Sequence, residues 1–295
     1  MILLNNTNRK VRVAILSIIS NTTLIILKII AGIISGSVSI ISEAIHSGMD
    51  LVASIIAYFS VRYSSKPADA EHPYGHGKIE NISGFIEAVL IFIAAILIIQ
   101  EAIKKLFNPT EIEDTSIAIF VMIFAVIVNI IVSKILYKVA KEEDSLALEA
   151  DALHLKTDVY TSLGVALGLI LIKFTGIYIL DPIIALLVAL LIIKEAWKLS
   201  QKTFRPLLDE KLSDEEENKI YDVISSYDDR IVDIHYLRTR KSGNTKYIDF
   251  HLTVDGDLTV RESHDLSEEI EKDLEERIHN TNVNIHIEPS NEKDS

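Results

Sequence analysis

The sequence predicts a membrane all-α domain of six transmembrane helices over residues 1–206, followed by a small cytoplasmic α+β domain over residues 207–295. Composition predicts this division, because 49% of the residues are hydrophobic although the chain carries a formal net charge of −13. The charge is unevenly spread: residues 209–295 hold 24 acidic and 11 basic residues and account for all of it. A neutral, apolar first part and an acidic second part are typical of a membrane domain joined to a soluble one.

Six apolar windows are long enough to cross a bilayer, which takes about 20 helical residues. They cover residues 11–34, 37–61, 82–103, 115–137, 147–172 and 177–198. The first window is too long for the roughly 7 to 15 apolar residues of a cleaved signal peptide. Basic residues are concentrated before the first window and after the second, fourth and sixth, whereas the opposite loops contain only Lys104, Lys105 and Lys173. By the positive-inside rule, both termini are expected in the cytoplasm, with the protein integral to the cell membrane.

Two of these windows contain the same His-x-x-x-Asp spacing: His46 and Asp50 in the second, His154 and Asp158 in the fifth. Residues four apart lie on one face of a helix, so two facing helices would bring together two imidazole nitrogens and two carboxylate oxygens. That donor set suits tetrahedral zinc. Alternatively, each pair bridges helices or lines a water-filled cleft. A charged residue at mid-bilayer costs roughly 2.5 to 3.5 kcal/mol, which favours a task such as metal binding.

The loop after the second window contains one acidic residue and two histidines, Asp69, His72 and His76. These side chains can converge on one ion if Pro73 and Gly75 bend the chain. The pattern has metal-ligand character, but surface loops also carry histidines without a function. The residues alone therefore leave both interpretations open.

The tail predicts the element order helix, strand, strand, helix, strand, which is an αββαβ domain of ferredoxin or metallochaperone type. Ser213 to Glu216 is a capping-box signature for a helix that reaches about Ser225. Residues 231–240 and 246–254 read as strands joined through Ser242-Gly243-Asn244, and residues 283–288 read as the last strand. Between them, the repeat Leu266, Ile270, Leu274 and Ile278 predicts a helix from about Ser263.

Alternation along the predicted strands separates apolar from polar residues. Val232, Ile234 and Tyr236 alternate with His235, and the same pattern surrounds His251 and His286. Because successive strand residues point to opposite faces, the histidines and Glu288 are expected on the polar face of the sheet.

Several function classes are disfavoured by composition. The chain has no cysteine, so a thiolate site or Cu(I) handling lacks its usual ligands. The acidic tail is a poor partner for nucleic acid.

These motifs together resemble those of the cation diffusion facilitator family, divalent-metal transporters that include bacterial zinc exporters and the zinc transporters of eukaryotic vesicles. The resemblance covers nearly the whole chain. It rests on the six helices, the two His-x-x-x-Asp pairs, the loop from Asp69 to Lys78, and the tail sequence from His235 to Arg240.

The resemblance implies a homodimer that transports metal and is not an enzyme, with zinc as both substrate and regulatory ion. It implies a transport site made of His46, Asp50, His154 and Asp158, and a loop site made of Asp69, His72 and His76. It implies a cytoplasmic site at a dimer interface, made of His235, His251, His264, His286 and Glu288. It also implies a charge interlock, a salt bridge between Lys78 of the membrane domain and Asp209 of the tail.

Two positions depart from relatives in this family. Some bacterial members that accept cadmium as well as zinc have Asp at the position of His46, so His46 suggests a narrower zinc preference. The last cytoplasmic ligand is Glu288 where a subgroup has Asp, which leaves open how many ions bind there.

Energetics narrow the mechanism that the resemblance implies. Moving a dication outward against a membrane potential of about 100 mV costs ~4.6 kcal/mol, since each charge contributes ~2.3 kcal/mol. No Gly-x-x-x-x-Gly-Lys-Ser/Thr loop is present to bind a nucleotide. Inward protons are the expected counter-ion, because histidines and carboxylates must lose protons before they bind metal. The hypothesis is a Zn(II)/proton antiporter that works by alternating access.

Three alternatives remain at this point. The transported metal could be Mn(II), Fe(II), Co(II) or Cd(II), since affinity order alone does not choose among them. A membrane-anchored metal sensor or scaffold would bind ions without transporting them. A membrane metalloenzyme is disfavoured because catalytic zinc usually keeps an open position and has three protein ligands.

Overall fold

A computed structural model describes residues 2–35, 38–107, 116–175, 179–227 and 229–290 of the chain. Within its helices, the side chains of residues 2–8, 32, 34–35, 38–46, 49, 105, 116–122, 165–173 and 181 lie outside this description. The chain forms two compact units, Met1–Phe204 and Arg205–Ser295. This division lies close to the boundary expected after residue 206.

The described part of the first unit consists of six long helices, one for each apolar window of the sequence. They are α1 (Ile2–Ser35), α2 (Val38–Ser64), α3 (Lys78–Phe107), α4 (Ser116–Glu142), α5 (Leu146–Thr175) and α6 (Leu180–Phe204). Among the described residues, three segments are long and apolar enough to cross a membrane: Arg9–Ala31, Lys78–Lys104 and Ile123–Glu142. Helix α5 is less apolar because its first half carries acidic residues, His154 and Lys156.

Helix α5 occupies the centre of the first unit, where it packs against α2, α3, α4 and α6. Its residues contribute to two apolar clusters, one shared with α1, α2 and α4 and the other with α3 and α6. Small residues bring these helices close together. At Gly164, an added Cβ would meet Val188 Cγ2 at 2.8 Å, and at Gly84 it would meet Thr203 Cγ2 at 2.8 Å. Helix α6 therefore packs closely against α5 at Gly164 and against α3 at Gly84.

A buried ion pair joins α1 to α3 at the end of the first unit that contains the α4–α5 connection. Lys10 Nζ lies 2.8 Å from Glu80 Oε1, with both side chains almost fully buried. The Glu80 carboxylate also accepts hydrogen bonds from the hydroxyls of Ser64 and Ser145. A buried charge of this kind is tolerated because it is paired and hydrogen-bonded.

The second unit has the predicted αββαβ order. A 3₁₀ turn (Arg205–Leu208) leads to α7 (Asp214–Ile224) and a second 3₁₀ turn (Ser225–Tyr227). Then come β1 (Asp233–Ser242), β2 (Thr245–Val254), α8 (Val260–Arg277) and β3 (Thr281–Pro289). Strand β2 lies in the middle of the sheet, antiparallel to β1 and parallel to β3.

The core of this unit lies between the helices and one face of the sheet. Its members are apolar residues of α7, β2 and α8, including Ile220, Ile224, Phe250, Leu252, Ile270 and Leu274. The helices cover one face, so the polar residues that alternate with this core occupy the other face. The four-residue repeat predicted for α8 is buried throughout.

Three local predictions were wrong. Val232 was expected on the apolar face of the first strand, but it is 60% exposed and precedes β1. Tyr236 was also expected on the apolar face, but it is 70% exposed and has a φ of 53°. It lies in a β-bulge between His235 and Arg238, where one extra residue reverses the alternation. Helix α8 begins at Val260 rather than near Ser263, because Thr259 and Glu262 form a capping box that the sequence analysis overlooked.

Candidate metal centres

The first candidate site lies inside the helical unit, between α2 and α5. Asp50 on α2 and His154 on α5 are buried, and Asp158 lies one turn further along α5. Each of the three residues offers one ligand atom, and these atoms all lie within 4.8 Å of one another. His154 Nε2 is 3.0 Å from Asp50 Oδ1. Two ligands of a tetrahedral zinc ion are separated by about 3.3 Å, given bond lengths near 2.0 Å. The spacing of this pair is therefore close to that of a metal-binding pair.

His46 was predicted as the fourth donor of this site. It belongs to α2, one turn before Asp50, but its side chain lies outside the described residues. Residues four apart share a helical face, so the backbone of α2 is compatible with the predicted four-ligand set.

A hydrogen-bonded network supports the Asp50 side of the site. Asn21 Nδ2 donates to Ser54 Oγ at 2.8 Å and more weakly to the Asp50 carbonyl at 3.4 Å. Ser54 Oγ donates to Asp151 Oδ1 at 2.9 Å, and Ser17 Oγ lies 2.9 Å from Ser54 Oγ. These contacts connect α1, α2 and α5 around the candidate ligands, and such supporting contacts orient metal ligands.

Asp151 was not among the site residues predicted from the sequence. Its spacing of three residues from His154 was the available signal, since residues three apart share a helical face. Ser17 and Ser54 each share their apolar window with at least one other serine, so no pattern distinguished them.

The second candidate site is the loop between α2 and α3. Asp69 Oδ1 lies 3.1 Å from His72 Nδ1, and Asp69 Oδ2 lies 3.4 Å from His76 Nε2. Gly75 has a φ of 78°, and its N–H donates to the His72 carbonyl at 2.9 Å. This turn folds His76 back toward Asp69. It is the bend at Gly75 that the three side chains need in order to converge. The three ligand atoms lie within 4.8 Å of one another.

Backbone hydrogen bonds prepare the loop carboxylate for a cation. The N–H groups of His72 and Glu71 donate to Asp69 Oδ1 at 2.7 and 3.0 Å. The hydrogen bond from the His72 backbone is the main reason that the pKa of Asp69 lies below its usual value. Asp69 is therefore ionised at neutral pH and available as an oxygen ligand.

The third candidate site is a row of histidines across the sheet of the second unit. His235 on β1 is opposite His251 on β2, and His251 is in turn opposite His286 on β3. The β-bulge creates the first of these pairings. Beyond the bulge, Arg238 is opposite Asp249, and continuing that register would put His235 opposite Leu252. The extra residue shifts the strand by one position and brings His235 to the face of His251.

Glu288 completes this row from the end of β3. Its Oε1 atom lies 2.8 Å from His251 Nδ1, and its Oε2 atom lies 3.0 Å from His235 Nε2. His286 Nε2 is 3.7 Å from Glu288 Oε1, and its ring centroid is 4.7 Å from that of His251. Asp233, which the sequence analysis did not select, lies 3.3 Å from His235 Nδ1. The Glu288 carboxylate, which is one methylene longer than the Asp of the subgroup, therefore contacts two histidines at once.

Three further predicted site residues are not members of these groups among the described residues. His264 is on α8, where its Nε2 atom lies 3.4 Å from Glu268 Oε1. Lys78 is the first residue of α3, in the first unit. Asp209 belongs to the second unit, where its Oδ1 atom lies 3.6 Å from Arg240 Nη1.

Comparison with protein families matches residues 14–208 to the cation efflux transmembrane domain and residues 212–290 to the cytoplasmic domain of cation efflux proteins. The chain is also similar over most of its length to bacterial relatives. An uncharacterised transporter of Synechocystis is 38% identical over 94% of this chain and 89% of its own length. The cation-efflux pump FieF of Shewanella oneidensis is 31% identical, over 92% of each chain. A solved structure of CzrB in a zinc form is 34% identical and covers 30% of this chain and 99% of its own, with a TM-score of 0.28.

Proposed function

Because the chain belongs to the cation diffusion facilitator family of membrane transporters, we propose that it exports Zn(II) from the cytoplasm in exchange for protons. In this proposal it is a homodimer in the cell membrane, with six crossings per subunit and both termini in the cytoplasm. The predicted fold class, a helical membrane domain followed by a three-stranded α+β domain, is confirmed. Cation efflux is the activity of the family, whereas the metal and the counter-ion are proposed here.

The observation that carries the proposal is the convergence of Asp50, His154 and Asp158 between α2 and α5. Imidazole and carboxylate donors suit Zn(II), and ionisable residues within membrane helices typically mark an ion pathway. With His46 as the fourth ligand, the set would be two nitrogens and two oxygens. All four belong to the two helices that α1 supports through Asn21 and the serine network.

Proton exchange is supported by the contact between His154 and Asp50. A hydrogen bond between these two groups requires a proton on one of them. A metal ion that binds both atoms must displace that proton, so occupation by metal and by proton exclude each other at this position. Alternating access of such a site would couple outward metal movement to inward proton movement. The inward protons would supply the ~4.6 kcal/mol that a dication needs at about 100 mV.

The loop and tail clusters are proposed as secondary metal sites. The loop cluster of Asp69, His72 and His76 is exposed apart from the half-buried His76. The tail cluster would respond to cytoplasmic metal and strengthen the dimer, with His264 reaching the site of the partner subunit. The salt bridge between Lys78 and Asp209 would hold the tail to the membrane domain.

The proposal is tested by metal flux into proteoliposomes that hold the purified full-length protein and an imposed pH gradient. A panel of Zn(II), Cd(II), Mn(II), Fe(II) and Co(II) is offered at equal concentration. The expected result is Zn(II) flux that rises with the gradient and stops when an ionophore collapses it. Metal binding without flux would instead identify a sensor or scaffold. Flux of another metal in preference to Zn(II) would reassign the substrate within the same family activity.

A further inference from the structure

A second cluster of charged residues lines a groove in the helical unit, away from the candidate metal sites. The groove has a volume of about 500 Å³ and is formed by α4, α5 and α6, each of which contributes residues from successive turns. Five lysines line it: Lys134, Lys138, Lys156, Lys198 and Lys202. Two glutamates, Glu149 and Glu195, also line it, so the groove has an excess of positive charge.

The lysines are only partly neutralised by the two glutamates. Lys202 Nζ lies 2.5 Å from Glu149 Oε2, and Lys198 Nζ lies 3.1 Å from Glu195 Oε1. Lys134 and Lys156 are exposed, and within the described part of the chain neither makes an ion pair with a carboxylate. Lys156 instead extends over the ring of Tyr160, with its Nζ atom 5.4 Å from the ring centroid. Lys138 Nζ lies 4.0 Å from Glu142 Oε1. Among the described residues, the positive charge that is not within ion-pair distance of a carboxylate is therefore that of Lys134 on α4 and Lys156 on α5.

This groove is separate from the proposed metal pathway because it lies on the opposite side of α5. Lys156 is two residues from His154, which is about 200° around a helix with 3.6 residues per turn. His154 faces Asp50 on α2, whereas Lys156 faces the groove. A cation in transit through the buried site would not pass these lysines.

The apolar surface next to the groove identifies the kind of anion that fits. One to three turns further along the same helix faces are exposed apolar side chains. They are Ile127 and Ile131 on α4, Leu163 on α5, and Leu187 and Leu191 on α6, with exposures between 46% and 62%. They lie 3, 7 or 11 residues from a groove lysine on the same helix, and these spacings share a helical face. A cluster of cationic groups that continues into an apolar surface matches a charged headgroup followed by acyl chains.

We propose that this groove binds the phosphate headgroup of an anionic membrane phospholipid, whose acyl chains lie along the exposed apolar faces of α4, α5 and α6. Lysine ammonium groups form charge-assisted hydrogen bonds with phosphate oxygens, and basic pockets between membrane helices recognise such headgroups. Lipid binding in the groove does not depend on the proposed function. Only the choice of leaflet rests on the proposed orientation, which puts the groove at the cytoplasmic leaflet, where anionic lipids are abundant. Each lysine near a membrane surface contributes about 1 kcal/mol, or roughly fivefold in affinity.

The test compares lipid binding by the wild-type protein, by Lys134→Gln/Lys156→Gln and by the control Lys66→Gln/Lys104→Gln. Lys66 and Lys104 are also exposed lysines close to helix ends, so the control makes the same change in charge outside the groove. Purified full-length protein is exchanged into nanodiscs of phosphatidylcholine with phosphatidylglycerol. Retained lipid is then counted by native mass spectrometry. No metal is present, so the outcome is independent of transport.

The expected result is that wild-type protein retains phosphatidylglycerol at least tenfold over phosphatidylcholine. This preference should fall at least tenfold in the groove variant and stay within twofold in the control. An equal loss of phosphatidylglycerol preference in the groove variant and the control would mean that lysines anywhere on the protein attract anionic lipid. That result would overturn the proposal. Displacement of the lipid by millimolar inorganic phosphate or glycerol phosphate would identify a site for soluble anions instead.

Two further measurements keep the proposal testable if the groove variant does not fold. Lys134→Arg/Lys156→Arg keeps both charges and should retain the lipid preference. In wild-type protein, a photoactivatable phosphatidylglycerol should cross-link to peptides that contain residues 133–138 or 195–202. Cross-links confined to other helices would refute the assignment.

Discussion

The Nε2 atom of His154 on α5 lies 3.0 Å from the Oδ1 atom of Asp50 on α2, and this contact joins two helices through residues selected from sequence as metal ligands. Neighbouring ligands of tetrahedral zinc are about 3.3 Å apart. An ion could therefore replace the shared proton with little movement of this pair. The other distances, up to 4.8 Å, require Asp158 to approach further. If the site binds Zn(II) as proposed, small relative motions of α2 and α5 would change the metal affinity.

The first prediction concerns the two carboxylates of the proposed membrane metal site. Asp50→Asn or Asp158→Asn should lower Zn(II) flux into proteoliposomes by more than about 100-fold, because loss of a ligand exceeds the 10- to 100-fold effect of removing a supporting contact. Asparagine preserves shape, so both variants should remain folded and reach the membrane. Glu101→Gln is the control, since Glu101 is a carboxylate with 62% side-chain exposure near the end of α3. Normal flux in either aspartate variant would reject the transport site.

The second prediction concerns selectivity at His46. His46→Asp changes the proposed ligand set from two nitrogens and two oxygens to one nitrogen and three oxygens. We expect Cd(II) transport to rise relative to Zn(II), as in the broader bacterial relatives that the resemblance describes. Competition between the two metals in the same vesicles measures the ratio, with His279→Asp as a control at an exposed position in the tail. An unchanged ratio would mean that cavity shape, rather than ligand identity, sets the preference.

Sequence reasoning reached the candidate ligands because their spacing equals one helical turn. The pairs at positions 46/50 and 154/158 specify a shared face whatever the packing of the helices. The pairing of α2 with α5 and the contribution of α1 through Asn21 depend on tertiary packing, which spacing does not encode. In the loop, the sequence identified three candidate ligands and the bend that they require, and the structure places that bend in a left-handed turn at Gly75.

The histidine row shows a different limit of sequence reasoning. Alternation assigned His235, His251 and His286 to the polar face but treated Tyr236 as part of the apolar face. Its φ of 53° belongs to a bulge, and a bulge inserts one residue without a distinctive sequence signature. The two-residue turn at Gly243 and Asn244 sets a register that the bulge then shifts. The histidines on the polar face were thus predictable from the sequence, but the pairing of His235 with His251 was not.

The third prediction concerns the cap of α8. Thr259 Oγ1 accepts a hydrogen bond from the Glu262 N–H, and Glu262 Oε2 accepts one from the Thr259 N–H. Thr259→Ala should destabilise a tail fragment of residues 207–295 by about 1 kcal/mol, whereas Thr259→Ser should be close to neutral. Urea unfolding at neutral pH measures both. Equal stability of the alanine variant and the wild-type protein would mean that tertiary packing alone fixes the start of α8.

The same cap predicts a pH dependence. Hydrogen bonds from Thr259 hold the pKa of Glu262 below its usual value in the folded state. The stabilisation by ionised Glu262 is therefore fully present above the unfolded pKa, and it disappears as pH falls through the lower folded pKa. The stability difference between the wild-type fragment and Glu262→Gln should shrink when unfolding is repeated in acid. A difference that stays constant down to about pH 2 would contradict this assignment.

The last prediction is that the acidic tail associates in response to metal. Two copies with a formal charge of −13 each repel one another, and the row of His235, His251 and Glu288 offers imidazole and carboxylate donors on an open sheet face. A ligand set completed by a partner subunit would bind Zn(II) more tightly, so binding and association are linked. Zn(II) should therefore compact or dimerise the tail fragment and raise its melting temperature. The effect should shrink as pH falls through the range in which histidines gain protons.

His251→Ala should abolish this response to Zn(II), whereas His279→Ala should retain it, because His279 lies outside the row. Identical scattering profiles and melting temperatures with and without Zn(II) at neutral pH would refute the prediction and make the tail a static dimerisation domain.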